Sequence, residues 1–165
     1  MKNIVLIGMP GVGKSTIGVI LAKELGYQFL DADLEIQKQE GKLLKDIIAE
    51  KGTDGFIEVE NRVNAGLQVE NTVIATGGSV VYGEEAMKHL KEIATVIYLQ
   101  VSLPILEKRL SDIHSRGVVL RKGQTLADLF EERKPLYEKY ADIVVLEEEL
   151  GVEETLEKIV EVLGK

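Results

Sequence analysis

The chain contains no cysteine and only two histidines among its 165 residues. The absence of cysteine excludes disulfide bonds, catalytic thiolates and zinc sites built from thiolates. Two histidines are too few for a histidine cluster, so a metal ion would have to be held by oxygen ligands. Proline is also scarce, with three residues, and no segment is of low complexity, so extended disorder is not expected.

Long apolar runs and an excess of positive charge are missing as well. The longest apolar runs, such as residues 4–7 and 96–99, are far shorter than the roughly 20 residues that a membrane-spanning helix needs. The N-terminus does not resemble a signal peptide, because Lys2 leads directly into a short strand pattern. The net charge of −8 disfavours nucleic acids and membranes as partners, since lysine and arginine dominate binding to both. We therefore expect a cytoplasmic protein.

The chain does contain short β-branched runs that alternate with longer amphipathic segments. This alternation is typical of a three-layer α/β fold, a parallel sheet with helices on both faces. The predicted strands are 3–7, 28–30, 72–75, 95–100 and 142–146. The predicted helices are 14–25, 33–39, 44–50, 54–69, 84–91, 103–111, 125–139 and 152–163, and Thr125 with Asp128 predicts a capping box. The length suits one domain over residues 1–165, which we expect to be a monomer.

A glycine-rich segment lies between the first predicted strand and the first predicted helix. It matches the phosphate-loop pattern G-x-x-x-x-G-K-[ST] and reads Gly8-Met9-Pro10-Gly11-Val12-Gly13-Lys14-Ser15, followed by Thr16. Glycines let the backbone approach phosphate oxygens, and successive N–H groups with the helix N-terminus form a cradle for anions. Lys14 adds charge for the β- and γ-phosphates, and the Ser15 hydroxyl is placed to ligate Mg²⁺. The segment therefore predicts that the protein binds ATP with Mg²⁺.

Polar residues follow the second and third predicted strands, at the sheet edge where α/β proteins bind ligands. Asp33 is a candidate N-cap of the helix 33–39. Capping by Asp33 does not account for Asp31, which is a candidate magnesium ligand. The segment 76–79, Thr-Gly-Gly-Ser, carries paired glycines that permit close approach of a ligand, although a tight turn also explains them.

A polar, glycine-interrupted stretch at residues 112–124 is a candidate lid between two predicted helices. Four arginines lie in or beside it: Arg109, Arg116, Arg121 and Arg133. They supply the local positive charge that the acidic chain otherwise lacks, as the closure of a site over a transferring phosphoryl group requires. The alternative is an ordinary surface loop with solvated arginines. The acidic run 147–149 is interpreted as a solvated loop.

The motifs and their order over nearly the whole chain resemble those of the shikimate kinase family. The resemblance rests on the Gly-Lys-Ser-Thr end of the phosphate loop, on Phe-Leu-Asp-Ala-Asp at 29–33, on Thr-Gly-Gly at 76–78 and on Glu-Arg-Lys-Pro-Leu-Tyr at 132–137. It implies a P-loop kinase fold with a short lid and with substrate-binding helices around residues 33–69.

The resemblance also implies a role for individual residues. Lys14 would contact the phosphates, Ser15 and Asp31 would serve Mg²⁺, and Asp33 would orient the accepting hydroxyl. The residues implied to contact the substrate are Gly77, Gly78 and Arg133. Arg116 would reach the phosphates from the lid, and Arg109 would stack beside the adenine.

Three positions depart from the family pattern. Ile57 stands where the family has an arginine that grips the substrate carboxylate, Ser79 replaces the third glycine of T-G-G-G, and Gly117 replaces the lid proline. Without the arginine, Glu60 loses its implied partner, and a buried unpaired carboxylate is costly. Either Arg62 turns in to meet it, or the acceptor brings an amino or hydroxyl group.

These observations predict an ATP-dependent kinase that transfers the γ-phosphate to a hydroxyl of a small hydroxylated acid, with shikimate to shikimate 3-phosphate as the first choice. The alternatives are a related kinase with another acceptor, such as gluconate or a nucleoside, and a non-catalytic ATP-binding regulatory module. A dehydrogenase lacks support because the glycine order is not G-x-G-x-x-G. A GTP-dependent switch lacks its N-K-x-D guanine motif.

Overall fold

The predicted strands pair into one parallel sheet in the computed structural model, which describes residues 2–110, 123–147 and 151–164. The strands are β1 (Asn3–Ile7), β2 (Gln28–Asp31), β3 (Thr72–Ala75), β4 (Ala94–Gln100) and β5 (Ile143–Leu146). The helices are α1 (Lys14–Leu25), α2 (Ala32–Glu40), α3 (Leu44–Ala65), α4 (Glu84–Ile93), α5 (Leu103–Arg109), α6 (Leu126–Tyr140) and α7 (Val152–Val162). The strand order is β2-β3-β1-β4-β5, so the predicted α/β fold with a five-stranded parallel sheet is confirmed.

Burial follows the position of each strand in the sheet. Every residue of the central strand β1 and of β3 is buried, while the edge strands β2 and β5 are partly exposed. Central strands of a parallel sheet are covered on both faces, which is why they consist of continuous apolar runs. Helices α1 and α7 pack against each other and onto strands, and α3 packs against α4.

Strand register brings the carboxyl ends of three strands to the same edge. Ala75 of β3 lies opposite Leu6 of β1 on one side and opposite Asp31 of β2 on the other. The segments that follow these strands, namely the phosphate loop, the start of α2 and the turn after β3, therefore meet at one place.

Helix α3 (Leu44–Ala65) consists of two helices joined at a kink, where Gly52 has a left-handed backbone angle (φ 76°). The prediction of two helices, at 44–50 and 54–69, is thereby confirmed. The second predicted helix was too long, because Gly66 caps the helix and the buried Leu67 belongs to the connection that leads into β3. The capping box of Thr125 and Asp128 is confirmed at the start of α6.

Most of the predicted lid, including Arg116, Gly117 and Arg121, lies outside the described residues. Among the described helices, none combines the length and the apolar character that crossing a membrane requires.

Candidate active site

The phosphate loop has the backbone geometry of an anion cradle. Gly8 runs so close to β4 that a Cβ on it would lie 2.7 Å from the carbonyl oxygen of Leu99. Gly13 is the N-cap of α1 in the left-handed region (φ 89°) and brings no side chain over the first turn. The N-terminus of α1, with its free N–H groups and positive dipole end, is thus open to an anion.

Lys14 is buried inside this loop. Its Nζ donates hydrogen bonds to the carbonyl oxygens of Gly8 at 2.5 Å and Met9 at 3.0 Å. Burial lowers the pKa of Lys14 to about 8, an effect that the carboxylate of Asp33 partly offsets. Within the described part of the chain, the hydrogen bonds of this ammonium go to neutral carbonyls, and a desolvated ammonium gains further from a nearby anion, so the surroundings of Lys14 favour a phosphate.

Asp31 begins α2 and touches the end of the phosphate loop. Its side chain accepts hydrogen bonds from the backbone N–H of Asp33 (2.9 Å) and of Leu34 (3.3 Å), so Asp31 is the N-cap. The prediction of Asp33 as the cap was wrong, because α2 begins one residue earlier than the sequence pattern indicated. The other carboxylate oxygen of Asp31 accepts a hydrogen bond from Ser15 Oγ at 3.3 Å. A hydroxyl and a carboxylate beside a phosphate cradle are the hard oxygen donors that Mg²⁺ prefers.

Because capping is done by Asp31, the side chain of Asp33 is available to the cavity. Burial raises the pKa of Asp33 to about 6, and the like charge of Asp31 raises it further, while Lys14 opposes both effects. Asp33 is therefore an ionised carboxylate at neutral pH with a basicity suited to accepting a proton.

One cavity of about 320 Å³ connects Lys14, Ser15 and Asp33 to the turn after β3 and to α6. Its lining residues are Pro10, Gly11, Gly13, Lys14, Ser15, Thr16, Asp33, Leu44, Phe56, Glu60, Thr76, Gly77, Gly78, Ser79 and Arg133. The cavity therefore connects a phosphate cradle to a carboxylate and an arginine.

Arg133 is 1% exposed and is held by aromatic residues. Its Nε donates to the hydroxyl of Tyr82 at 3.4 Å, and its guanidinium carbon lies 5.4 Å from the centre of that ring. Tyr137, one turn further along α6, donates from its hydroxyl to the carbonyl oxygen of Gly78 at 2.6 Å. These contacts fix the guanidinium beside Gly78, where a Cβ would lie 2.7 Å from Arg133 Nη1. The site thus holds a preoriented cation for an anionic group.

Glu60 is also buried, with 1% exposure, and its partner is Ser79. Ser79 Oγ donates to Glu60 Oε1 at 2.5 Å, while Oε2 accepts no hydrogen bond from the described residues. Arg62 does not turn in, because it bonds Glu40 at 2.9 Å and stays exposed, so that alternative was wrong. Burial raises the pKa of Glu60 to about 8, and the Ser79 hydrogen bond only partly offsets this rise.

This buried acid makes stability depend on pH in a defined direction. The folded-state pKa of about 8 exceeds the ordinary value of 4.5, so the stabilising effect of the neutral acid is complete below pH 4.5 and is lost as pH rises through 8. Between pH 4.5 and 8, the free energy of unfolding should fall by at most about 1.4 kcal/mol per pH unit. We expect Glu60→Gln to reduce the loss of Tm between pH 6 and 8, measured by calorimetry. Equal pH dependence in both proteins would contradict this.

Arg109 and Glu147 form a second polar contact near the loop. Arg109 Nη1 donates to the carbonyl oxygen of Gly11 and to Glu147 Oε1, both at 3.2 Å. Glu147 is 5% exposed, so its interpretation as part of a solvated loop was wrong. The Glu147 backbone N–H donates to the carbonyl oxygen of Gln100 and so extends the pairing of β5 with β4. This pairing places the Glu147 side chain beside Arg109, which the acidic run 147–149 did not indicate.

The structure brings most of the predicted site residues together around the cavity. Gly8, Met9 and Val12 belong to the phosphate loop but do not line the cavity, and the side chains of Met9 and Val12 are buried. Arg109 contacts the phosphate loop at the carbonyl oxygen of Gly11. The sequence interpretation missed Tyr82 and Tyr137, which hold Arg133 and Gly78. Tyr137 follows Arg133 by four residues, one helical turn, and this spacing was the available signal. Glu60 follows Phe56 on α3 by the same spacing, and both residues line the cavity.

Comparisons with known proteins agree with this geometry. A family model described as shikimate kinase matches residues 10–164. A shikimate kinase from Persephonella marina is 41% identical over 144 residues, which cover 87% of each chain.

Solved structures are similar over nearly the full length. A shikimate kinase from Acinetobacter baumannii in complex with shikimate has a TM-score of 0.90 at 30% identity and covers 99% of this chain and 93% of its own. The shikimate kinase from Aquifex aeolicus has a TM-score of 0.84 at 36% identity, with coverages of 98% and 96%.

Proposed function

Because the chain belongs to the shikimate kinase family, we propose that it transfers the γ-phosphate of ATP to a hydroxyl of shikimate, giving shikimate 3-phosphate. One observation carries the proposal: a single cavity is lined by the phosphate loop, by Asp33 and by Arg133. Phosphoryl transfer depends mainly on positioning and on neutralising charge, and these groups supply both.

The residues on the phosphate side hold the nucleotide. The backbone of Gly8 to Thr16, including Met9, Pro10 and Val12, surrounds the phosphates, and Lys14 provides the fixed positive charge. Ser15 and Asp31 hold Mg²⁺, which neutralises charge on the phosphate oxygens when it is bound. Arg109 lies beside the adenine. The contact of the lid residue Arg116 with the phosphates stays a prediction from the family resemblance.

The residues on the other side hold the acceptor. Arg133 binds the carboxylate of shikimate, since a guanidinium matches a carboxylate in shape and charge. Gly77 and Gly78 have no side chain to fill the space beside Asp33 and Arg133, which leaves room for the hydroxylated ring. Asp33 accepts a hydrogen bond from the reacting hydroxyl and takes its proton.

The proposed acceptor is tested by measuring ADP release and the phosphorylated product with shikimate, gluconate, homoserine and nucleosides. We expect the highest kcat/KM with shikimate and a product phosphorylated at one ring hydroxyl, as seen by ³¹P NMR. A different compound with a kcat/KM at least tenfold higher would replace shikimate as the acceptor.

The Ile57→Arg variant tests whether the cavity has shikimate geometry. Ile57 is half-buried against a small apolar cluster and precedes Glu60 by three residues, about one turn of α3, so an arginine placed there would lie near that carboxyl. We expect kcat/KM for shikimate to rise by about tenfold, because a charge-assisted hydrogen bond contributes about 1.5–3 kcal/mol. Ile48→Arg, in the same cluster but on the other side of the Gly52 interruption from Glu60, is the matched control. A rise shared by both variants would contradict the interpretation.

A further inference from the structure

Two carboxyl oxygens meet at Gly77. A Cβ on Gly77 would lie 2.7 Å from Asp33 Oδ1 and 2.8 Å from Glu60 Oε2. Both residues belong to the lining of the cavity assigned above to the acceptor. Asp33 has a role in the proposed reaction, whereas Glu60 has none so far.

The hydrogen bond from Ser79 decides which oxygen of Glu60 is left for a ligand. Ser79 is 4% exposed, and its hydroxyl donates to Oε1, so a proton on the neutral acid resides on Oε2. Oε2 is buried and has no partner among the residues that the structure describes. A buried polar group without a partner is costly, and a ligand hydroxyl that reaches it would supply the missing hydrogen bond.

We propose that Ser79 is a positioning residue that holds Glu60 so that Oε2 donates a hydrogen bond to a second hydroxyl of the acceptor, next to the hydroxyl oriented by Asp33. The inference rests on the proposed function and deepens it. It defines the acceptor class as a molecule with two neighbouring hydroxyl groups and an anionic group for Arg133.

The charged groups around Glu60 support a neutral acid at this position. Asp33 faces it with a negative charge, while Arg133 and Lys14 face it with positive charges. Desolvation by burial exceeds the effect of these neighbours, so Glu60 stays protonated at neutral pH. A neutral acid beside the ionised Asp33 also avoids repulsion between two carboxylates.

Kinetics with shikimate at saturating ATP test the inference. At pH 7 we expect Ser79→Ala and Ser79→Gly to raise the KM for shikimate by about three- to tenfold, the effect of losing one hydrogen bond. The KM for ATP should change less than twofold. Glu60→Ala should raise the KM for shikimate at least as much, whereas Glu60→Gln, which keeps a donor and an acceptor in the same places, should stay within about threefold of the parent.

The pH profile separates positioning from a general loss of structure. In the parent protein the KM for shikimate should rise above pH 8 as Glu60 ionises, and this rise should be absent in Glu60→Gln. A shikimate analogue that lacks the hydroxyl next to the reacting one should bind more weakly than shikimate to the parent but equally to Glu60→Ala. If a variant folds poorly, proton uptake when shikimate binds to the parent near pH 8 gives the same information, because the hydrogen bond favours protonated Glu60. Calorimetry in buffers of different ionisation enthalpy measures this uptake, and its absence would contradict the inference.

The outcomes distinguish this inference from the proposed function. If shikimate is phosphorylated but Ser79→Ala leaves its KM unchanged, or Glu60→Gln is as impaired as Glu60→Ala, the inference about Ser79 and Glu60 is wrong and the proposed function stands. If the parent protein phosphorylates only another acceptor, the proposed function is wrong. The same variants then test the inference with that acceptor.

Discussion

Replacement of Lys14 by alanine is expected to lower kcat with ATP and shikimate by about 10²–10³-fold, the range found when one preorganised charge-stabilising donor is removed. Lys14 is the cation enclosed by the loop backbone, and burial has already removed its water. Its electrostatic effect on a phosphoryl group is therefore strong. Initial rates at saturating substrates measure the effect.

The control for Lys14 lies on the same helix. Lys23 is exposed in the last turn of α1, and Lys23→Ala removes an equal charge far from the cradle. It should keep kcat within twofold. Lys14→Arg should not rescue activity, because the larger planar guanidinium does not fit among the Gly8 and Met9 carbonyls. If Lys14→Ala retained more than a tenth of the parental kcat, the assignment of the phosphate cradle would fail.

Replacement of Asp33 by asparagine is expected to lower kcat by about 10²–10⁴-fold, the usual contribution of a positioned general base. The amide keeps the size of the side chain but no longer accepts a proton. Because burial raises the pKa of Asp33 to about 6, kcat/KM of the parent should fall as pH drops below 6, where the carboxylate becomes protonated. That acidic decline should be missing from the residual activity of Asp33→Asn.

The matched control is Asp46→Asn, which changes an exposed aspartate in the first turn of α3. It should preserve both kcat and the acidic decline. A parental profile that is flat between pH 5 and 7, or a loss in Asp33→Asn smaller than tenfold, would show that Asp33 only orients the hydroxyl. Asp33 would then act through position, in agreement with a loose transition state.

Several expectations from the sequence stay predictions. They are the cytoplasmic location, the monomeric state and the lid at 112–124, which includes Arg116. The roles of individual site residues are proposals for the experiments above.

The features that sequence alone determined are those set by neighbours along the chain. The phosphate loop is one contiguous segment whose glycines and N–H groups act together, so its pattern predicts its geometry. The strands were recognised because central parallel strands are buried on both faces and consist of apolar runs. The capping box of Thr125 and Asp128 likewise depends on residues three positions apart.

Tertiary structure decided which distant side chains pair. Asp31 rather than Asp33 caps α2, Ser79 rather than Arg62 meets Glu60, and Glu147 is buried against Arg109. Several partners compete for each of these groups, and the choice depends on burial and on distances of a few ångströms between separate elements. These distances are set only when the strands pair in their register and bring separate elements together, so the sequence pattern alone does not predict them.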